Sequence, residues 1–589
     1  MISYAFARRG RARPAVLAWG IATLVFAIAG CVGWAGGGGP VGAEALTARA
    51  AQVVRSDVGV VASASVLATE VGAGILAAGG NAVDAAVATG FALAVTEPSM
   101  SGLGGRASTL IRLPDGAIVG FDGLNQVPHG YAPESGLPPG YERAAIPGVP
   151  AALVRVHEAH GTLPLARVME GAIRLAEEGF ALPADEAARW AGGVGDLAEY
   201  PASRELWLRP DGSPREAGER FRNPDLARAL RAIAADGWAG FYSGWVADSI
   251  HAEMTRLGGF ITREELAGYD ALSAIPARGS YRGYEIASNF RPAAGHAVVE
   301  ALQILEEVGV PEADEGARWA AVVSQAMQLA ISDRNGNHGS EEESAAVLTS
   351  REHARTRAEE ITVPTAVGVG VGSGVGWGRG VGQFGEVGAE IAREWSFDVP
   401  PGTLVTSPSD REATTHLVTA DASGMVVTHT QSNGPAMGTR LTASGLGFFY
   451  ATRLGSTPGS RPSSTIAPTL VLHPDGRPWF ALGGAGDARI ISAVIQVVSR
   501  RIDHEMTLPE AVAAPRVHPN GLTGVSVESG PVGRWEAADL ALLREQGFEV
   551  EGQPSGFFGR VHAVEFEAGG LLGVAEPRWT GSAVGVRRE

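Results

Sequence analysis

The segment "EATTHLVTAD", Glu412–Asp421, decides how the fold and the chemistry of this chain are predicted. Its threonine, leucine and valine side chains favour a β-strand, because such side chains fit a pleated, half-buried surface. Two adjacent threonines, Thr414 and Thr415, and a histidine open the strand. They are either ordinary strand residues or the start of a catalytic unit.

A threonine hydroxyl is a weak nucleophile until a base removes its proton. One such base is the α-amino group of the same residue, once that residue has become the first of a chain. This amine has a pKa of about 7.7 to 8.0, so it is available as a base near neutral pH. The catalytic interpretation therefore requires cleavage of the Ala413–Thr414 bond. On these residues alone, plain strand propensity is the simpler interpretation.

The composition excludes several kinds of chemistry. The 589 residues carry 47 basic and 64 acidic side chains, and the net charge of -17 argues against a nucleic-acid partner. The sequence contains no lysine, which excludes Schiff-base, Walker-type and Ser-Lys mechanisms. It also contains neither a His-Glu-x-x-His motif nor a cysteine pair, so we expect no metal and no cofactor.

The N-terminus predicts export and a lipid anchor. Residues 1–30 join an arginine-rich start to the apolar run "AVLAWGIATLVFAIAG", which is typical of a signal peptide and short for a membrane span. The run ends in "IAGC", which resembles the lipobox of bacterial lipoproteins and makes the single cysteine, Cys31, the predicted lipidated residue. An uncleaved anchor helix is the alternative. Both interpretations place the protein outside the cytoplasm, attached to a membrane in the periplasm or at the cell surface.

The chain then divides into regions of different character. Residues 31–58 begin with a glycine-rich stretch and predict a flexible tether, and residues 59–365 are mainly helical. A helical hairpin is predicted first, with Asn81 and Asp84 as caps of its second helix. A further helix pair ends at Gly161 and Gly179, with Thr162 as the expected cap between them.

The last part of the chain is rich in strands. Residues 366–413 contain a glycine-alternating linker, and residues 414–589 follow it. Hairpins are predicted with turns at Ala422–Gly424 and Pro474–Gly476, and a helix follows that Asp487 can cap. Helices first and strands later indicate an α+β architecture.

Several segments, in this order, resemble the γ-glutamyltransferase (glutathione hydrolase) family. They are "LATEVGAGILAAGGNAVDAAVA", "TEPSMSGLGG", "HGTLPLARVMEGAIRLAEEGF", "GGFITREELAGY", "YRGYEI", "TTHLVTADASG" and "RPSSTIAPTLV". The resemblance runs from residue 59 to residue 585 and is weakest over residues 335–413. It implies a four-layer αββα sandwich of the N-terminal nucleophile hydrolase type. It also implies self-cleavage into a large chain and a small chain, residues 414–589.

The resemblance also assigns roles to particular residues. It implies that Thr414 is the nucleophile and the new N-terminus, and that Thr415 and Ser432 support its amine and its hydroxyl. Ser464 and Thr465 match the family's paired serines beside the active site.

The resemblance also implies which two positions stabilise the oxyanion, the negatively charged oxygen that forms when the nucleophile attacks a carbonyl group. Gly486 and Asp487 match two glycines of the family whose backbone N–H groups form an oxyanion hole. Their position at the predicted start of a helix suits that role.

The departures from the family pattern concern the substrate. Leu124 stands in place of the arginine that clamps the substrate α-carboxylate, and Gly434, Arg453 and Ser456 fall on positions that hold the α-amino group. Leucine cannot pair with a carboxylate, and an arginine repels an ammonium group. The loss of a buried charged partner costs about 3 to 5 kcal/mol.

We therefore expect an enzyme that hydrolyses or transfers an acyl group of γ-glutamyl type from a small-molecule amide such as glutathione, with altered specificity and poor activity on glutathione itself. One alternative is an amidase for another acyl group, with an apolar or anionic part that suits Leu124 and Arg453. The other is a non-catalytic binding lipoprotein that keeps the fold, as the aspartate at 487 and the lost substrate ligands suggest.

Overall fold

The structure is a computed structural model that describes residues 53–132, 140–313, 315–362, 413–453, 455–530 and 532–587. The predicted signal peptide, Cys31, most of the tether and the linker residues 366–412 lie outside these ranges. Within the described ranges, no helix is both long enough and apolar enough to cross a bilayer.

The strands have the following bounds. They are β1 Val53–Ser56, β2 Gly59–Ser63, β3 Arg106–Arg112, β4 Ile118–Gly123, β5 Phe180–Ala181, β6 Arg220–Phe221, β7 Leu272–Ser273, β8 Pro276–Tyr281, β9 Tyr284–Asn289, β10 Ala413–Asp421, β11 Val426–Gly434, β12 Thr469–Leu472, β13 Pro478–Ala485, β14 Val517–Pro519, β15 Gly524–Glu528, β16 Glu549–Gln553, β17 Arg560–Glu567, β18 Gly570–Val574 and β19 Ser582–Val586.

The α-helices of the described ranges follow in chain order. They are α1 Val66–Ala77, α2 Ala82–Thr96, α3 Val149–His160, α4 Leu165–Glu178, α5 Ala184–Gly192, α6 Val194–Glu199, α7 Pro201–Trp207, α8 Pro224–Asp236, α9 Trp238–Tyr242, α10 Trp245–Leu257, α11 Arg263–Ala267, α12 Gly295–Val308, α13 Gly316–Asp333, α14 Glu341–Leu348, α15 Arg351–Ala358, α16 Ala488–Ile502, α17 Leu508–Ala513 and α18 Ala537–Glu545.

Two seven-stranded sheets form the centre of the fold. One has the order β1-β18-β17-β13-β12-β9-β8 and the other the order β19-β2-β10-β11-β3-β4-β7. Neighbouring strands within each sheet are antiparallel. The sheets meet through an apolar layer that includes Leu110 and Val418 from one sheet and Leu470 and Val564 from the other.

Helices cover the outer face of each sheet. Leu302 of α12, Val322 of α13 and Ile491 of α16 belong to one core cluster with Leu482 of β13. On the other side, helices α2 and α3 share a second cluster with Leu417 of β10. Helices on both outer faces of two stacked sheets make an αββα sandwich, so the predicted fold class is confirmed.

The predicted helical hairpin is present, and its cap does more than the sequence indicated. Asn81 and Asp84 form a reciprocal capping box at the start of α2. The fully buried Asp84 carboxylate also accepts hydrogen bonds from the Thr162 backbone N–H (3.0 Å), the Thr162 hydroxyl (2.6 Å) and the Leu163 backbone N–H (3.3 Å). The predicted cap role of Thr162 is therefore wrong: α4 begins after Pro164, and Asp84 takes the threonine hydroxyl instead.

The tether was predicted to extend to residue 58, and this boundary is wrong. Val53–Ser56 already form strand β1, which pairs with β18 in the register Val53↔Val574 to Ser56↔Leu571. The two β-branched valines suit a strand, but the partner that holds them lies more than 500 residues further along the chain.

The substitution Asp84→Ala tests the junction between α2 and α4. It removes the acceptor of several buried donors, and each unsatisfied donor costs about 1 kcal/mol or more, so we expect the free energy of unfolding to fall by about 3 kcal/mol. Urea unfolding followed by circular dichroism measures this change.

The matched control for this test is Asp115→Ala. Asp115 is exposed and accepts a hydrogen bond from the Ala117 N–H, so a change of about 0.5 kcal/mol or less is expected. Equal losses in both variants would contradict the proposed junction.

Candidate active site

The side chains of β10 alternate between the two faces of its sheet. Leu417 packs in the cluster beneath the helices, whereas Val418 packs between the two sheets. Because side chains in a strand alternate with a period of two, Thr415 lies on the helical side and Thr414 on the side of the second sheet. The two adjacent threonines therefore lie in different environments.

Thr414 lies against the peptide bond that precedes it. Its Oγ1 is 2.8 Å from the carbonyl oxygen of Ala413 and 3.1 Å from the hydroxyl of Ser432 on β11. The Ser432 hydroxyl donates a short hydrogen bond to the same carbonyl oxygen and accepts one from the Gly434 N–H at 3.0 Å. A nucleophile and a hydrogen-bond donor thus converge on one buried carbonyl group.

Thr415 is not brought to the Thr414 hydroxyl. Its own hydroxyl donates to the carboxylate of Glu97 at 2.7 Å, on the helical side of the sheet. Burial raises the pKa of Glu97 to about 7, although the positive charge of the nearby Arg189 opposes this shift. The predicted direct support of the nucleophile by the Thr415 side chain therefore has no counterpart here, and Thr415 anchors the strand instead.

The histidine of the opening motif is a core residue. The His416 ring is fully buried, and its Nδ1 lies 2.8 Å from the Thr430 hydroxyl. Gly483 packs directly on the ring: a Cβ atom at this glycine would lie 2.4 Å from His416 Cε1. Burial, together with neighbouring histidines, lowers the pKa of His416 well below its usual value, so the ring is neutral.

Gly486 and Asp487 join the end of β13 to the start of α16, as expected. Both have positive φ angles, 129° and 53°, and the non-glycine Asp487 is strained in this conformation. The Asp487 carboxylate does not cap the helix, which corrects the prediction; it accepts a hydrogen bond from the Thr465 hydroxyl at 3.0 Å. Thr465 and Asp487, predicted separately, are thus in contact.

Ser464 lies next to a groove. Its N–H donates to the carbonyl of Pro292 at 2.7 Å. Pro292, Ser463 and Asn335 are among the residues that line a groove of about 660 Å³. The groove lies next to Ser464, but Thr414, Ser432 and Asp487 are not among the residues that line it.

Two predicted substrate residues are engaged by the protein itself. The Arg453 guanidinium donates to the Tyr131 hydroxyl and to the carbonyl oxygen of Gly455 (2.6 Å), and it lies 3.6 Å from the centre of the Tyr131 ring. The expectation that Arg453 binds substrate is therefore not supported by its contacts. Leu124 is buried, and its carbonyl accepts a hydrogen bond from the Tyr269 hydroxyl at 2.7 Å.

Arg106, the first residue of β3, belongs to the site although no sequence motif predicted a role for it. It lies directly opposite Ser432 in the antiparallel ladder, and it is only 2% exposed. Burial lowers its pKa to about 10, and the charge of Asp487 opposes this shift, so the side chain remains cationic at neutral pH. A charged residue at the start of a strand, directly after "SGLGG", was the available signal.

One cluster has side chains of the metal-binding type. Glu300, Asp333 and His353 could offer ligand atoms that lie within 4.8 Å of one another. The His353 Nε2 lies 3.0 Å from the Glu300 carboxylate and 3.3 Å from that of Asp333, which also pairs with Arg357 at 2.7 Å. The two carboxylates raise the pKa of His353 to about 9. A protonated histidine between two carboxylates accounts for this cluster.

The raised pKa of Glu97 predicts a pH effect on stability. Unfolded Glu97 ionises near its ordinary pKa of 4.5, while the folded protein keeps the proton up to about pH 7. The stabilisation that protonated Glu97 gives to the folded state is complete below about pH 4.5 and is lost as the pH rises to 7. This loss lowers the free energy of unfolding by about 2 to 3 kcal/mol. In Glu97→Gln, the decrease of the unfolding free energy between pH 5 and pH 8 should be smaller by this amount.

Urea unfolding at both pH values measures the effect, in a Thr414→Ala background so that all samples are single chains. The control is Glu170→Gln, since Glu170 is exposed. If Glu97→Gln and the control show the same pH dependence, Glu97 does not carry the raised pKa.

Comparison with known proteins agrees with this geometry. The sequence profile of the family described as Gamma-glutamyltranspeptidase matches residues 68–586. The chain is 30% identical over 538 residues to the glutathione hydrolase proenzyme of Escherichia coli, covering 84% of this chain and 86% of that protein. It is 32% identical over 559 residues to the Acylase ACY 1 proenzyme of a Pseudomonas species, covering 90% and 93%.

A solved structure shares the fold. The cephalosporin acylase from Bacillus halodurans superposes with a TM-score of 0.76 at 27% identity, covering 91% of this chain and 97% of that one. The family resemblance predicted from the sequence is therefore confirmed. With a profile match over most of its length, the chain belongs to the gamma-glutamyltranspeptidase family of amidohydrolases.

Proposed function

We propose that this protein is a self-processing threonine amidohydrolase that cuts itself between Ala413 and Thr414. It then uses the new terminal threonine to transfer an acyl group from a small-molecule amide to water or to an amine. The observation that carries the proposal is the convergence on one peptide bond. Thr414 Oγ1 lies 2.8 Å from the Ala413 carbonyl oxygen, and the Ser432 hydroxyl donates to that same oxygen.

In self-cleavage, Thr414 Oγ1 attacks the Ala413 carbonyl carbon. The negative charge that develops on the carbonyl oxygen is stabilised by the Ser432 hydroxyl, a role in which a single donor contributes about 10² to 10³ in rate. The carbon–nitrogen bond breaks, the Thr414 nitrogen takes the proton, and an ester joins Ala413 to Thr414 Oγ1. Water hydrolyses the ester, which leaves a carboxylate on Ala413 and a free amine and hydroxyl on Thr414.

In the catalytic cycle, the freed α-amine acts as the base. It takes the proton from Oγ1 as the oxygen attacks the substrate amide, and it returns the proton to the departing amine. The acyl group remains on Thr414 as an ester until water or an amine acceptor removes it. The backbone N–H groups of Gly486 and Asp487, at the start of α16, are proposed to stabilise the oxyanion.

The acyl group is proposed to differ from γ-glutamyl. Leu124 offers no charge to an α-carboxylate, and Gly434 offers no side chain to an α-amino group. The Arg453 guanidinium is held by Tyr131 and Gly455. Relatives named acylase, next to those named glutathione hydrolase, support an amidase for another acyl group. Glutathione should therefore be a poor substrate.

The protein is also proposed to act outside the cytoplasm, anchored by a lipid on Cys31 after removal of residues 1–30. The support is the charged start, the short apolar run and the "IAGC" sequence at residues 28–31.

Thr414→Ala should abolish both self-cleavage and amidase activity, because it removes the only hydroxyl proposed to attack. Thr414→Ser keeps a hydroxyl and should still cleave, at a lower rate. Intact-mass spectrometry of the purified protein separates one chain from two, and release of nitroaniline from acyl nitroanilides measures activity.

The control for these variants is Thr356→Ala, which removes an exposed threonine hydroxyl on α15. This variant should cleave itself and hydrolyse the nitroanilides as the unaltered protein does. Two chains with a break before residue 414 in Thr414→Ala would overturn the proposal.

Cys31→Ser tests the anchor. The full-length chain, produced with its own N-terminus in a bacterial host, should enter the detergent phase in phase partitioning and carry the added mass of the lipid. The variant should move to the aqueous phase, whereas Ala35→Ser should behave as the unaltered chain. If Cys31→Ser stays with the membrane, the uncleaved anchor helix is correct instead.

A further inference from the structure

Arg106 emerges on the same face of the sheet as the nucleophile. It pairs with Ser432 across β3 and β11, and the Ser432 hydroxyl contacts Thr414. Side chains of directly opposed residues in an antiparallel pair point to the same face, with Cβ atoms about 5 Å apart. Leu110, four residues later on β3, packs between the two sheets, which fixes that face as the one shared with Thr414.

The guanidinium of Arg106 has no partner among the described residues. Its Nη1 and Nη2 atoms are buried and make no hydrogen bond there. Two other buried arginines differ from Arg106: Arg516 and Arg578 each form an ion pair with the buried Glu576, at 2.9 and 2.8 Å. A buried charge without a paired, hydrogen-bonded partner is costly, and a bound anion would supply the partner that Arg106 lacks.

The space around this guanidinium is made by a glycine. A Cβ atom at Gly434 would lie 2.3 Å from Arg106 Nη2, so a larger residue there would displace the arginine. Gly434 also has a φ of 90°, in the region that favours glycine. Its N–H donates a hydrogen bond to the Ser432 hydroxyl at 3.0 Å, at a register shift in the pairing of β10 with β11. The cationic group is therefore a short distance from the hydroxyls that act on the carbonyl.

The charged groups near Arg106 leave a positive balance. The Asp487 carboxylate acts on both Arg106 and Arg334, and it is already hydrogen-bonded by Thr465. Glu97 lies on the opposite face of the sheet, bonded to Thr415. One aspartate acts on two arginines, so the local charge is positive and favours a further anion. Nη1 and Nη2 together present the parallel N–H groups that bind a carboxylate in bidentate fashion.

We propose that Arg106 is a specificity-determining residue that binds a carboxylate on the acyl group of the substrate. The preferred substrates are then amides of short dicarboxylic acids, with one carbonyl at Thr414 and the free carboxylate at Arg106. This assignment rests on the proposed function and names its substrate class. An acyl group that ends in an ammonium group is excluded by the same cation.

The test compares paired substrates on the processed enzyme. Succinyl, glutaryl and adipyl nitroanilides carry the carboxylate, and butyryl and pentanoyl nitroanilides lack it. The unaltered enzyme should favour the best carboxylated substrate by at least about 100-fold in kcat/KM, the value of one buried charge-assisted contact. In Arg106→Gln and Arg106→Met, this preference should fall to less than about 5-fold, while kcat/KM for the neutral substrates changes little.

The matched control is Arg112→Gln on the same strand. The Arg112 guanidinium donates to the carbonyl oxygens of Gly424 and Gly476, away from Ser432. Its substitution should leave the preference unchanged. A charge reversal adds a second readout: Arg106→Glu should accept 4-aminobutyryl nitroanilide better than glutaryl nitroanilide, which a purely structural role of Arg106 would not produce.

The outcomes separate this inference from the proposed function. If the unaltered enzyme cleaves the nitroanilides without preferring the carboxylated ones, or if the Arg106 variants lose both substrate types equally, the assignment of Arg106 is wrong while the amidase remains. If Thr414 is not released and no nitroanilide is cleaved, the proposed function fails. In that case, calorimetry with glutarate tests the assignment of Arg106. Binding to the unaltered protein that is at least tenfold tighter than binding to Arg106→Gln supports the assignment, and equal binding overturns it.

Discussion

The register of β10 is the constraint on which the site depends. The strand is paired on both sides, with Leu417 opposite Ser63 of β2 and opposite His429 of β11. Both of its faces are buried, one by helices and one by the second sheet. A slip of one residue would exchange the environments of Thr414 and Thr415, and would move apolar side chains out of both layers at once. The apolar layers therefore hold the nucleophile on its side of the sheet.

The same pairing organises the reactive groups before any substrate arrives. Because the bond before Thr414 lies within a strand, the Thr414 and Ser432 hydroxyls are held against the Ala413 carbonyl by the ladder itself. Such positioning removes most of the entropy cost of bringing reacting groups together. The polar side chains that follow Thr414 on the strand have hydrogen-bond partners, as the Thr415–Glu97 and His416–Thr430 contacts show. Arg106 is the contrast, since its terminal nitrogens are buried without a partner among the described residues.

Local pattern predicted the elements well. The helical hairpin with its Asn81 cap and both predicted β-hairpins are present. The errors share one cause. The expected caps Thr162 and Asp487 bond instead to Asp84 and Thr465, and β1 pairs with a strand from the far end of the chain. A short polar side chain has several possible partners, and local sequence does not rank those that come from distant segments.

The sequence by itself determined that β10 is a strand and that a hairpin follows it, because β-branched side chains fit a pleated sheet and Ala422–Gly424 favour a turn. It also determined the family, through ordered motifs that span most of the chain. Only the tertiary structure decided which groups meet those motifs. Tyr131 takes up Arg453 across 322 positions of the chain, and Arg106 comes to lie opposite Ser432 through the pairing of β3 with β11. Such contacts depend on how the sheets stack and how the strands pair. Each buried contact joins segments that are far apart in the chain, so no single segment of the sequence encodes it.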